Sequence, residues 1–156
     1  MRAFYRYNNL GKVIEASGHS VAEVSHYTGI NEKTLYRYIS GESVPNVKVA
    51  LRIAKCLDAN IYDIYDRPLA AVNLYKIRKW QSIGSCREDS PYNNIEDFMW
   101  AKGFTPKVLA FRAGIKERAM YNYIADRNTP NITDAISIGN VLGITVYQLF
   151  DKPFFI

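Results

Sequence analysis

Residues 20–45, SVAEVSHYTGINEKTLYRYISGESVP, decide how the rest of the chain is read. The stretch predicts two short helices joined by a tight turn at Gly29. Ser20 is placed to cap the first, Val21 to Thr28, which turns Val24 and Ser25 inward. Gly29 supplies the turn, Ile30 plugs it, and Asn31 caps a second helix from Glu32 to Ser40. On that helix Leu35, Tyr38 and Ile39 share one face. Asn31, Glu32, Lys33 and Arg37 occupy its exposed start and the other face. A short helix with polar first turns, propped on a neighbour across a glycine turn, has the shape that enters a DNA major groove. An ordinary helical hairpin is the alternative.

The stretch occurs twice. Residues 105–130, TPKVLAFRAGIKERAMYNYIADRNTP, align with it at a constant offset and without a gap. The match runs outward from Asn8-Asn9-Leu10 against Asn93-Asn94-Ile95 to Asp66-Arg67-Pro68 against Asp151-Lys152-Pro153. It contains eighteen identities, among them Gly18/Gly103, Gly29/Gly114, Tyr36/Tyr121, Pro45/Pro130, Asn46/Asn131 and Leu57/Leu142. A repeat of this size is the duplication of a small domain, not a solenoid period.

Each copy resembles the Cro- and lambda-repressor-type helix-turn-helix domain, the XRE family. In copy one the resemblance rests on Leu10, Val13, Gly18, Ser20, Val24, Ser25, Gly29, Ile30, Thr34, Leu35, Gly41, Pro45, Ile53, Ala54 and Leu57. In copy two it rests on Ile95, Phe98, Gly103, Thr105, Leu109, Ala110, Gly114, Ile115, Met120, Pro130, Ile138 and Leu142. The resemblance implies an all-α fold: two five-helix lambda-repressor-like domains, residues 1–68 and 93–156, joined by a basic, partly helical linker at 69–92. It implies double-stranded DNA as the ligand, although members also serve as protein-binding modules. Many members pair an Arg in helix one with a Glu in helix three. Those positions hold Ile14 and Ile39 here, and Met99 and Ile124 in copy two. Exchanging both partners of a buried ion pair together is tolerated, whereas exchanging one is costly.

By the same resemblance, Asn31, Glu32, Lys33 and Arg37 are the base-reading candidates of copy one. Lys116, Glu117, Arg118 and Asn122 match them in copy two. Ser20, Thr34, Ser40 and Ser43 are candidate phosphate contacts, joined by the linker cations Lys76, Arg78 and Lys79. The family often has Gln at the start of helix two. Val21 and Pro106 stand there instead, so that contact is missing.

Charge qualifies this expectation. The chain has 20 Lys and Arg against 15 Asp and Glu, a net +5. Both copies are close to neutral, so the excess lies in Arg2, Arg6, Lys76, Arg78, Lys79 and Arg87, on the arm and linker. In the linker Ala70, Val72, Leu74, Ile77 and Trp80 alternate with basic residues in a pattern that predicts a helix. In copy two Glu15, Glu23 and His26 become Trp100, Val108 and Phe111. Apolar residues at nominally outer positions predict a covered surface, used for packing or self-association.

Other classes find no support. No nucleophile–base set, glycine-rich phosphate loop or paired acids point to an enzyme. Cys56 reads as a buried thiol and Cys86 as a linker residue, so no disulfide framework is read. His19 reads as a partly buried structural imidazole. Neither it nor His26 has a ligand set at metal spacing, and no metal or cofactor is expected. No apolar run reaches about 20 residues, so no membrane span is read. With no signal-peptide pattern, a cytoplasmic chain is expected. Two function classes remain: a DNA-reading transcriptional regulator, or a protein-interaction regulator (an antirepressor or partner subunit). A homodimer or another regulatory protein is the expected protein partner.

Overall fold

The computed structural model describes residues 7–74 and 87–154, and the described residues contain ten α-helices. Five lie before the linker: α1 Leu10–Ser17, α2 Val21–Thr28, α3 Glu32–Ser40, α4 Val47–Cys56 and α5 Ile61–Tyr65. Five lie after it: α6 Ile95–Ala101, α7 Pro106–Ala113, α8 Glu117–Ile124, α9 Ile132–Leu142 and α10 Val146–Phe150. They form two compact units that divide between Asp89 and Ser90, with the short strip Asn46–Lys48 grouped in the second.

Local chemistry sets the helix ends. Ser20 accepts the Glu23 N–H at 3.1 Å while Glu23 Oε1 accepts the Ser20 N–H at 3.0 Å, a reciprocal capping box opening α2. Thr145 and Gln148 open α10 in the same way. Asn31 and Asn60 cap α3 and α5 through their side-chain oxygens. Helix α3 ends on Gly41 at φ +82°, the left-handed conformation that closes a helix. The matching residue after α8 is Asp126, at φ +61°. The exchange is reversed after the fourth helix of each unit, where Asp58 at φ +51° matches Gly143 at φ +71°. The matched backbone therefore keeps its left-handed turns whichever residue occupies them.

In the first unit α1 packs on α3 and α5, and α2 on α3. Leu10, Val13, Val24, Leu35, Ala50, Ile53, Leu57, Ile61 and Ile64 are fully buried there. Ile14 is buried on α1, and Ile39 lies against the same helix: a Cβ added at Gly11 would stand 3.0 Å from Ile39 Cγ2. In the second unit α7 packs on α8 and α9, and α6 on the same two helices. Ile95, Met99, Leu109, Met120, Ile132, Ile138, Leu142 and Leu149 are fully buried.

One pair of asparagines closes each unit. Asn9 donates both hydrogens of its amide, to Asp63 O and Arg67 O, at 2.8 Å each. Its backbone N–H donates to Ile64 O at 2.8 Å. Asn94 repeats this with Gln148 O and Lys152 O at 2.9 and 2.6 Å, and Leu149 O at 2.8 Å. Beside them Asn8 and Asn93 donate to Tyr38 O and Tyr123 O. Both chain entries are thus fastened to the carbonyls of the fifth helix and the segment after it.

Most of the expected linker helix falls on residues 75–86, outside the described residues. Leu69–Ala71 forms a single 3-10 turn, Val72 N–H closing on Leu69 O at 3.0 Å and Val72 becoming buried. Residue 73 is not helical. Pro68 cannot donate, and its extended ψ of 148° leads into this turn, which seats Val72. Ile77, Trp80 and Cys86 lie outside the described residues. Cys56 is a buried thiol outside any disulfide, and His19 is buried with Nδ1 3.1 Å from Glu23 Oε2.

Candidate nucleic-acid interface

The outer face of α3 is set by its period. Leu35 is buried and Tyr38 and Ile39 are partly covered, which leaves Asn31, Glu32, Lys33, Tyr36, Arg37 and Ser40 exposed. Lys33, Tyr36, Arg37 and Ser40 stand at i, i+3, i+4 and i+7, one continuous stripe. Asn31 does two things at once. Its side-chain oxygen caps the helix by accepting Lys33 N–H at 2.8 Å, leaving its NH2 group to face outward. Arg37 Nε lies 3.8 Å from Glu42 Oε1, with both side chains at least half exposed. Such a loose surface pair holds little energy and gives way readily to a stronger partner.

Tyr36 joins the residues that the sequence singles out. It is 56% exposed, and its counterpart Tyr121 on α8 is 47% exposed. The signal available in the sequence is their identity in both copies at a position outside the buried stripe. A phenol between two cations can donate to a phosphate or a base edge and lay its ring on a thymine methyl.

The phosphate candidates are less free than expected. The Ser20 hydroxyl lies 3.3 Å from Glu23 Oε1 as well as accepting the Glu23 N–H. The backbone N–H of Ser20 and then His19 hold the Glu23 carboxyl below its usual pKa, so this helix start bears a persistent negative charge. A phosphate approaching Ser20 meets that charge. Ser40 donates to Arg37 O at 3.1 Å and accepts Glu42 N–H at 3.3 Å, fastening the loop after α3. Thr34 and Ser43 are partly covered. Lys76, Arg78 and Lys79 lie outside the described residues.

The second unit presents a different face. Lys116, Glu117 and Arg118 are exposed at the start of α8, where Lys116 makes no side-chain cap. Asn122 is partly covered, its Oδ1 accepting from Arg127 Nη1 at 3.2 Å. Arg127 matches Glu42, so the guanidinium that the first unit has on its helix sits in the following loop of the second. Arg127 too escapes a reading of the sequence, because a loop arginine has no periodic signature.

Trp100, Val108 and Phe111 are 57%, 38% and 86% exposed. Among the described residues these three side chains are open to solvent, while the linker residues 75–86 and a second chain, two of the expected covers, lie outside what is described. These positions are on the outer faces of α6 and α7, whose inner faces are already filled by Met99, Leu109 and Ala110. Arg112 stands over the Phe104 ring at 5.0 Å beside them.

The described residues hold no group of three or more His, Cys, Asp or Glu that could bind a metal ion. None of their helices is long and apolar enough to cross a membrane. Residues 10–64 match the family described as helix-turn-helix, the span from α1 through α5. The first unit is a helix-turn-helix domain. A protein of Methanocaldococcus jannaschii, named as an HTH-type transcriptional regulatory protein, is 25% identical over 122 residues, 78% of this chain. That region is 35% of the relative, so the chain spans about a third of the relative's length. No solved structure matches the chain. In helix-turn-helix terms α2 is the supporting helix, Gly29 the turn and α3 the helix that presents the exposed stripe.

Proposed function

We propose that the chain is a sequence-specific double-stranded DNA-binding transcriptional regulator built from two helix-turn-helix domains, 1–68 and 93–156, with 69–92 between them. The exposed stripe on α3 of a helix-turn-helix domain is the observation that supports this most. Asn31, Glu32, Lys33, Tyr36 and Arg37 together offer donors for guanine, an acceptor for cytosine and a ring for thymine. Two neutral domains reading different half-sites suit an asymmetric operator, with the covalent link raising the local concentration of the second reader. Lys116, Glu117, Arg118 and Arg127 are its candidate contacts, and Lys76, Arg78 and Lys79 remain candidates for the intervening phosphates. Enrichment from a pool of random duplexes tests the reading: a recovered motif with unlike halves supports it, and no motif at low salt contradicts it.

A second reading is favoured by two observations. Phe111 is almost fully exposed, and the ionised Glu23 sits where α2 would approach a phosphate. Both suit a protein-interaction regulator, an antirepressor or partner subunit, in which the second domain packs on another chain or a second copy. Concentration-dependent association of purified chain without any DNA binding is the result that would favour it.

A further inference from the structure

The C-terminal end of α2 has a cover that comes from far along the chain. The last carbonyls of an α-helix find no partner within it and gather partial negative charge. Here Ser25 O receives the Gly29 N–H at 2.9 Å. His26 O receives two donors of Arg87, Nε at 3.2 Å and Nη2 at 2.6 Å. Thr28 O receives Arg52 Nη1 at 2.8 Å, and Arg52 Nη2 lies 2.9 Å from Asp89 Oδ1. The stem of Arg87 crosses the turn itself: a Cβ added at Gly29 would stand 3.2 Å from Arg87 Cγ. Two guanidiniums therefore close one helix end, and Asp89 binds the one from α4 to the segment bearing the other. The Arg52 side chain is only 15% exposed, which shields this ion pair better than a surface one.

The second unit has no equivalent of Arg52, since Ser137 stands at the matching position, and Phe111 replaces His26. The family match ends at residue 64, so 87–89 are an addition to the matched domain. We propose that Arg87, Glu88 and Asp89 form a strap belonging to the first domain, and that Arg87 and Asp89 are positioning residues. They hold the Gly29 turn, and through it the first turn of the α3 stripe. Of the segment 69–92, the part from Arg87 to Asp89 is then not a free tether. This role rests on the geometry of one unit and requires no DNA.

Trypsin can cut after Arg87 only when the strap has left α2, so its rate tracks the open population. The full chain is digested briefly and the fragment ending at Arg87 is quantified by mass. Arg52→Ser, which installs the second unit's residue and leaves the cleavage sequence intact, should speed that cut about five-fold. In parallel, amide exchange at Gly29, Ile30 and Lys33 is compared in wild type, Arg87→Ala and Arg87→Lys. Exchange should rise about five-fold in Arg87→Ala, and Arg87→Lys, which keeps the charge and a donor, should fall between. If Arg52→Ser unfolds the domain outright, the Arg87 series decides alone. Wild-type cleavage in a folded Arg52→Ser protein, or unchanged exchange in Arg87→Ala, overturns the strap.

Discussion

Arg127 donates from Nη1 to Asn122 Oδ1 at 3.2 Å, at the two positions where the first unit sets Glu42 beside Arg37. The cation and its neutral or acidic neighbour have changed places between helix and loop. In a DNA reader, a helix arginine suits a base edge and a loop arginine suits the phosphate backbone. On the proposed function, Arg37→Ala should weaken binding to a natural site by about ten- to a hundred-fold, as expected for a lost bidentate base contact of about 1–3 kcal/mol. Asn122→Ala should cost less. Arg127→Ala should weaken all sequences alike and lower the salt slope by about one. Titrations of the three variants on one site and on random duplex make the comparison; equal, sequence-selective losses from all three would show the two domains to be equivalent readers.

The Asn9 and Asn94 fasteners predict matched stability losses. Each side chain is buried and satisfies two carbonyls, so Asn9→Ala strands both. The cost should be about 2–4 kcal/mol, at about 1–2 kcal/mol per orphaned group. Asn94→Ala should lose a similar amount, because its bonds repeat those of Asn9. Denaturant melts of the two variants give the values, and a loss below 0.5 kcal/mol (about the noise of a surface substitution) at either site would contradict the assignment.

The exchanged left-handed positions predict opposite signs for one pair of substitutions. Asp58 holds φ +51° with its side chain exposed, and Gly143 holds φ +71° with nothing within 4 Å of an added Cβ. Asp58→Gly should stabilise by about 0.5 kcal/mol and Gly143→Ala should destabilise by about 1 kcal/mol, since only backbone strain separates them. Thermal melts read both signs.

Glu23 sets a pH dependence. Its folded pKa lies below 4.5, so its capping box contributes stability that is fully present above that value. The contribution is lost as pH falls through the folded pKa. Carbon-detected NMR titration should place the Glu23 carboxyl below the free value, and Glu23→Gln should flatten the acid limb of the stability curve. A Glu23 midpoint at or above 4.5 would contradict the stabilisation of its carboxylate by the Ser20 N–H and His19.

Much of the fold is legible in the sequence because helix ends are local events. Ser20, Gly29 and Asn31 each act within three residues of the helix they start or stop, so the boundaries of α2 and α3 can be read directly. The duplication supplies the second set. What cannot be read acts over distance. Asn9 meets carbonyls beyond position 60, and Arg87 meets His26, contacts that leave no period in the sequence. The expected linker helix falls mostly on residues 75–86, outside the described residues. On the interface, polar residues of α3 are found by their face, while Tyr36, on the same outer face, is passed over as an uncharged aromatic. Phe111, expected under a cover because it replaces an outer polar residue, is exposed in the single chain.

Whether the helix-turn-helix stripe meets duplex DNA shows in the salt dependence of binding. The apparent affinity of the full chain for a mixed-sequence duplex is measured by gel shift across a salt series, beside the Lys33→Ala/Arg37→Ala double variant. Each neutralised phosphate contributes about −0.9 to the slope of log affinity against log salt. The proposed function predicts a steep negative slope for the wild type, about −3 or steeper, with weaker binding in the double variant. A slope near zero, no binding at low salt, or a double variant that binds like the wild type would contradict it.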